Sequence, residues 1–142
     1  MDYRYGRHTV YQIEYHLVWV TKYRYQVLPG DVGQRVRARV RPTCEAFEIR
    51  ILTGVVSQDP VHLLVSAPPA LAPSAIMRRI KERTSSPLFE AFPTLKKRYW
   101  GQHCWAHGYC CATVGEISEE QIKGYLDHHF EPDPAKDFPV EP

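Results

Sequence analysis

The chain has 142 residues, 44% of them hydrophobic and 24% charged, which suffices for one compact domain and excludes a disordered, collagen-like or disulfide-scaffold class. Its net charge of +2 is unevenly spread: residues 1–115 carry sixteen Lys and Arg against eight Asp and Glu, whereas residues 116–142 carry two against eight. A basic body suits a polyanionic partner, although solvated surfaces are often charged this way.

The first clear element covers 9–20, where Tyr11, Ile13, Tyr15, Leu17 and Trp19 alternate with Gln12, Glu14 and His16. A period of two with aromatic and β-branched residues predicts a strand. It runs into the basic-aromatic Thr21-Lys22-Tyr23-Arg24-Tyr25, closed by Pro29-Gly30. Asp31, with Gln34 three residues on, predicts a capped helix whose stripe is Val32, Val36, Val40 and Cys44. Pro42 inside that stripe predicts a kink or an early stop. Strands are expected over 48–56 and 61–67, joined by a turn short enough for an antiparallel hairpin.

A second helix is expected from Ser74, with Ile76, Met77 and Ile80 inward and a restart at Ser86-Pro87. The basic-aromatic run Lys96-Lys97-Arg98-Tyr99-Trp100-Gly101 follows, in which Tyr99 and Trp100 suit either the core or a stacking platform. A fourth strand is expected over 109–114. Ser118 and Gln121 predict the cap of a last helix with the stripe Ile122, Tyr125, Leu126 and His129. Residues 132–142, acidic and holding four prolines, read as a disordered tail after a single domain at 1–131.

The order β-α-β-β-α-β-α thus predicts an α+β fold: a ferredoxin-like βαββαβ antiparallel sheet with helices on one face, plus an added C-terminal helix carrying Tyr125. No apolar run spans a bilayer, and Met1-Asp2-Tyr3-Arg4-Tyr5 lacks the pattern of a secretory leader, so a soluble cytoplasmic protein is expected. Cys44, Cys104, Cys110 and Cys111 are expected as free thiols. His103, Cys104, His107, Cys110 and Cys111 crowd together as zinc ligands do, but a strand at 109–114 would send the two adjacent cysteines to opposite faces.

Several collinear segments between about residues 8 and 130 resemble the single-tyrosine HUH transposases of small insertion sequences, the insertion-sequence-200/605-like family. They are the opening strand through Tyr15-His16-Leu17-Val18-Trp19-Val20-Thr21-Lys22-Tyr23-Arg24, then Val61-His62-Leu63-Leu64-Val65-Ser66, then Phe92-Pro93 with 95–101, and Tyr125. The resemblance implies a bacterial or archaeal DNA transposase, a homodimer with active sites shared between subunits. It would bind single-stranded hairpin ends and cut and rejoin strands through a 5′-phosphotyrosine on Tyr125. It also implies a divalent Mg²⁺ or Mn²⁺ ion held by His62 and by His129, where relatives carry glutamine.

The HUH motif places two histidines one residue apart, on one face of a strand. Here the matching residues are Pro60-Val61-His62, so the first ligand is absent, with Asp59 or His128 as conceivable substitutes. Ser86 and Pro87 likewise stand where relatives often carry an arginine pair. Lys22, Tyr23, Arg24, Arg78, Arg79, Lys81, Arg83, Lys97 and Arg98 are the candidate contacts to DNA, cations for phosphates and rings for unpaired bases. Two other readings remain: a disabled copy that binds hairpins without cutting, and a ferredoxin-like RNA-binding module, which would leave Tyr125 and His62 without a purpose.

Overall fold

In the computed structural model, residues 3–100 and 103–113 are described. The expected C-terminal helix with Tyr125 and His129, and the tail at 132–142, lie outside them. The chain opens with a small antiparallel ribbon of β1 (Arg4–Tyr5) and β2 (Val10–Tyr11). Then come β3 (Glu14–Trp19), α1 (Asp31–Ala46), β4 (Arg50–Val55), β5 (Val61–Ser66), α2 (Pro73–Ala91), α3 (Pro93–Arg98) and β6 (Cys110–Ala112). Strands β4-β5-β3-β6 form one antiparallel sheet in that order, with a bulge in β4 between Ile51 and Thr53.

Cross-strand partners share a face of a sheet. Leu17, Trp19, Val61, Leu63 and Val65 therefore point to one side, where they join Val36, Val40, Ile76, Met77, Ile80 and Leu88 from α1 and α2 in the main core. The two helices pack on each other over this face. The sequence alternation leaves the opposite side of β3 polar, but Val18 is also buried, and Val20 packs with Ala106 and Cys110 beyond the strand end.

The alternation over 9–20 predicts one strand, which the structure divides. Ala67 N–H donates to the Ile13 carbonyl at 3.0 Å, and Pro68-Pro69 beyond it carry no N–H to extend the ladder. Val10 and Tyr11 pair with β1 instead.

Neither helical proline ends its helix, so the early stop offered for Pro42 and the restart expected at Ser86-Pro87 are not seen. α1 runs through Pro42 and α2 runs through Pro87. The two prolines line the same open groove between the helices, where a carbonyl deprived of its helical donor can meet water. The hydroxyls of Thr43 and Thr84 donate to the Arg39 and Ile80 carbonyls at 2.7 and 2.8 Å, adding support beside each break. The expected cap is also displaced by one residue. Gly30 is the N-cap of α1 and Asp31 starts the first turn, where its charge still suits the helix dipole.

Gly33 sets the approach of α1 to the sheet. A Cβ there would collide with the Leu28 carbonyl and lie 2.8 Å from Ser57 Cβ. Gly33→Ala should therefore destabilise the fold by about 1–3 kcal/mol, although alanine is the better helix former by about 1 kcal/mol. Urea denaturation tests the sign directly: a stabilised variant would mean the segment at Leu28 and Ser57 yields freely.

Cys44 and Cys104 are buried, and burial pushes both thiols from 9.0 up to about 11. Raised folded values mean that unfolded thiols ionise first. Stability should be intact below pH 9 and fall between pH 9 and 11, by on the order of 3 kcal/mol per thiol at the upper end. Cys→Ser replacement confuses this test by burying a hydroxyl. Cys→Ala at both sites should reduce that alkaline slope in urea melts, leaving the part contributed by the buried Tyr99 phenol.

Candidate functional site

His62 sits in the middle of the sheet, on β5, paired with Val18 of β3 and Val55 of β4. It faces away from α1 and α2. Burial lowers its pKa from 6.5, and repulsion from His16 lowers it further, so the imidazole is neutral near pH 7. Neutral imidazole is the form that ligates a metal. His16 pairs with Leu64, and so lies on the same sheet face as His62, one strand away and diagonally offset. Cys110, opposite Val18, occupies that face on the next strand, whereas Cys111, opposite Leu17, turns to the core. This is the separation that strand alternation predicts for the adjacent cysteines. Among the described residues no group of three His, Cys, Asp or Glu side chains is gathered to hold a metal, the 103–111 cluster included.

Pro60, at the turn into β5, offers no donor. Asp59 beside it is spoken for. Its carboxylate, 1% exposed, accepts the Thr21 N–H at 3.0 Å and Arg24 Nε at 2.7 Å, one on each oxygen. Asp59 thus ties the entrance of β5 to the 3₁₀ turn Lys22–Arg24 that ends β3. Ligation by Asp59 would have to break this lock. His62 and the diagonally placed His16 do not by themselves make a divalent-ion site, and among the described residues no third donor joins them. Tyr125, His129 and His128 lie outside the described residues.

The cationic candidates separate into different roles. Lys22 is buried, its amide bound to the Cys104 carbonyl at 2.8 Å and its ammonium 5.3 Å from the Tyr23 ring centre. Lys81 Nζ donates to the Ala106 and Gly108 carbonyls at 2.9 and 2.8 Å, fastening the loop before β6 onto α2. Both were expected as phosphate contacts; the Lys81 ammonium is bound to backbone carbonyls, and the Lys22 residue is largely buried. Arg24 remains partly exposed beside its carboxylate. Arg79 and Arg83 stack on the Phe47 ring, 4.0 and 4.8 Å from its centre, while Arg78 is exposed on the same helix.

At the other end, Lys97 and Arg98 are exposed on α3, and the Arg98 guanidinium lies 4.1 Å from the centre of the Tyr25 ring. Tyr23, Tyr25, Tyr99 and Trp100 form a connected aromatic cluster there. Tyr99 is buried within it and belongs to the core; Trp100 is 55% exposed. An exposed indole beside Arg98 and Tyr23 has the composition of a stacking platform.

The sequence reading passed over the arginines of α1. Arg35, Arg37, Arg39 and Arg41 are all exposed, and among the described residues the one ion pair is Arg24–Asp59. Their spacing of two looks strand-like in the sequence. On a helix the same spacing fans four cations across the solvent side, with Arg37 and Arg41 toward β4 and Arg35 and Arg39 toward α2.

The family model for IS200-like transposases matches residues 9–129. The chain belongs to the IS200-like transposase family. It is 38% identical over 122 residues to the ISDra2 transposase TnpA of Deinococcus radiodurans, covering 86% of this chain and 87% of that one. It is 34% identical over 126 residues to the transposase for insertion sequence element IS200 of Salmonella typhimurium, covering 89% and 82%. A crystal structure from Deinococcus radiodurans R1, assigned to the transposases, superposes with a TM-score of 0.78 at 34% identity, covering 89% of this transposase and 97% of that chain. A REP-associated tyrosine transposase bound to a REP hairpin shares the fold at a TM-score of 0.55 and 16% identity, covering 91% and 70%. The mixed α/β architecture and the family expected from the sequence are both met.

Proposed function

We propose that this transposase binds single-stranded hairpin ends of an insertion sequence and cuts and rejoins them through a 5′-phosphotyrosine on Tyr125. The observation that supports this most is the span of the family match, 9–129, which takes in the His62 strand, Tyr125 and His129. The hairpin held by the REP-associated relative is consistent with the same class of partner here. In the proposed reaction the Tyr125 oxygen attacks the scissile phosphorus, the P–O3′ bond breaks, and the departing 3′-hydroxyl takes up a proton. A 3′-hydroxyl reverses the step and releases the tyrosine. One phosphoester replaces another, so no nucleotide cofactor is needed. Mg²⁺ or Mn²⁺, when bound by His62 and His129, would supply Lewis-acid polarisation of the phosphate. A homodimer would bring the histidines of one subunit to the tyrosine of the other.

Within this reading, Arg78, Arg83, Lys97, Arg98 and the α1 arginines neutralise phosphates, and Trp100 and Tyr23 stack on unpaired bases. A second reading is favoured by Pro60 together with the occupied Asp59 carboxylate: a transposase relative that holds hairpins without cutting. Incubation with hairpin-ended single-stranded DNA and Mn²⁺ separates the two. A covalent protein–DNA band on a denaturing gel, mapped to the Tyr125 peptide, supports cutting. Hairpin binding without any such band, with the band appearing in Pro60→His, supports the second reading. Preference for duplex RNA over both would defeat the DNA assignment.

A further inference from the structure

We infer that Trp100, Tyr23 and Arg98 form a notch for one unpaired DNA base and the phosphate beside it, at the end of the sheet where β5 begins. The inference deepens the hairpin-binding reading above, on which it rests, and uses neither Tyr125 nor a metal.

The chain has three tryptophans, and two of them are core, Trp19 at 0% exposure and Trp105 at 2%. Trp100 is 55% exposed. A scattered apolar side chain on a surface is ordinary, but this one closes a connected aromatic cluster. Its ring centre lies 6.2 Å from that of Tyr23 at an interplanar angle of 80°. Such an edge-to-face contact covers at most one face of the indole, so Tyr23 leaves the other open. Tyr23 is itself backed by Tyr99, stacked at 6.4 Å, and by Tyr25 at 5.4 Å. The exposed ring therefore stands on a buried support, which lowers the ordering cost when a base arrives.

Cations frame the same spot. The Arg98 guanidinium, 4.1 Å from the Tyr25 ring centre, is exposed, as are Lys96 and Lys97 before it. Asp59, the carboxylate bound to this turn, is already neutralised by Arg24. A positive rim beside an open π-face suits a nucleotide, whose base stacks and whose phosphate pairs with the cations. An apolar peptide would leave those cations unused.

The backbone is strained at the same place. Four described non-glycine residues have positive φ, and three of them are Tyr23 at 60°, Arg24 at 56° and Trp100 at 54°. Left-handed backbone is uncommon for bulky side chains and collects at ligand clamps. The turn is also tied to the strand of His62, since Thr21 N–H and Arg24 both bind Asp59, three residues before it. A base in the notch thus lies beside the entrance of β5.

With two of three tryptophans buried, intrinsic fluorescence reports on Trp100 directly. The full chain is excited at the red edge, where tyrosine does not absorb. It is titrated with a blunt DNA hairpin, the same hairpin with an unpaired tail, and one whose tail is abasic. The tailed hairpin should quench Trp100 and shield it from acrylamide. The abasic tail keeps every phosphate and should do neither. Trp100→Ala should weaken the tailed hairpin by about 5- to 150-fold, the range of one lost base stack, and the abasic one much less. Trp100→Phe keeps a ring and should fall between, which keeps the test open if the alanine variant does not fold. Arg98→Ala should weaken both tailed DNAs and lower their salt dependence. Unchanged affinity in folded Trp100→Ala, or a bound tail that leaves Trp100 open to acrylamide, would overturn the inference while the hairpin-binding reading stands. Trp100 already shielded in the free chain would overturn it too, giving the indole to another segment or a second copy. Failure to bind any of the three DNAs would overturn both.

Discussion

Tyr125→Phe should abolish the covalent DNA adduct, with strand cleavage falling by about three orders of magnitude or more, as loss of a nucleophile does in other enzymes. Phenylalanine keeps the ring but removes the only oxygen that can form the ester. The unperturbed phenol titrates near ~10, so at neutral pH attack depends on a polarised phosphate or a nearby base. His62→Ala should therefore also depress the adduct strongly, by weakening the metal. The double variant should be little worse than Tyr125→Phe alone, because groups acting in one step are not additive. Hairpin retention on a native gel separates a missing nucleophile from a damaged fold. An adduct that survives in Tyr125→Phe would move the chemistry to another of the nine tyrosines and remove the main support for the proposed mechanism.

Much of the scaffold was legible because its signals are local. Alternation located the strand carrying Leu17 and Trp19, and the short turn at 57–60 announced the antiparallel β4–β5 pair that carries Leu63 and Val65. Features that depend on a partner elsewhere in the chain were not. The two prolines look like helix breakers until α1 and α2 are seen to share the groove that both line. Lys22 and Lys81 look like surface cations, yet Lys22 is buried with its backbone N–H on Cys104, and the Lys81 ammonium is held by the segment before β6, which is distant in sequence. His16 could be assigned an outward direction from its alternation, but not its neighbour. The pairing of Val18 with His62 is a matter of register, and a shift of one residue would have sent the ring to the other side.

The same distinction between a local signal and a remote partner governs Asp59. In the sequence it reads as a turn residue next to the missing ligand, and its carboxylate looks available to a metal. In the fold it is a lock, and Asp59→Ala should destabilise the protein by about 1–3 kcal/mol, chiefly because the Thr21 N–H is left without its acceptor while the half-exposed Arg24 is solvated. Arg24→Ala should also be costly, since it leaves a nearly inaccessible carboxylate with one donor. The double variant should cost clearly less than the sum, because the charge stranded by Arg24→Ala no longer exists. A coupling of about 0.5–3 kcal/mol is expected from urea melts of the four proteins. Strict additivity would mean that the pair is solvated in solution and that Asp59 is free after all. Mn²⁺ titration of folded Asp59→Ala then discriminates the two roles. A ligand's removal weakens binding as His62→Ala should, whereas a lock's removal lowers stability and leaves His62 held by its ladder to Val18 and Val55.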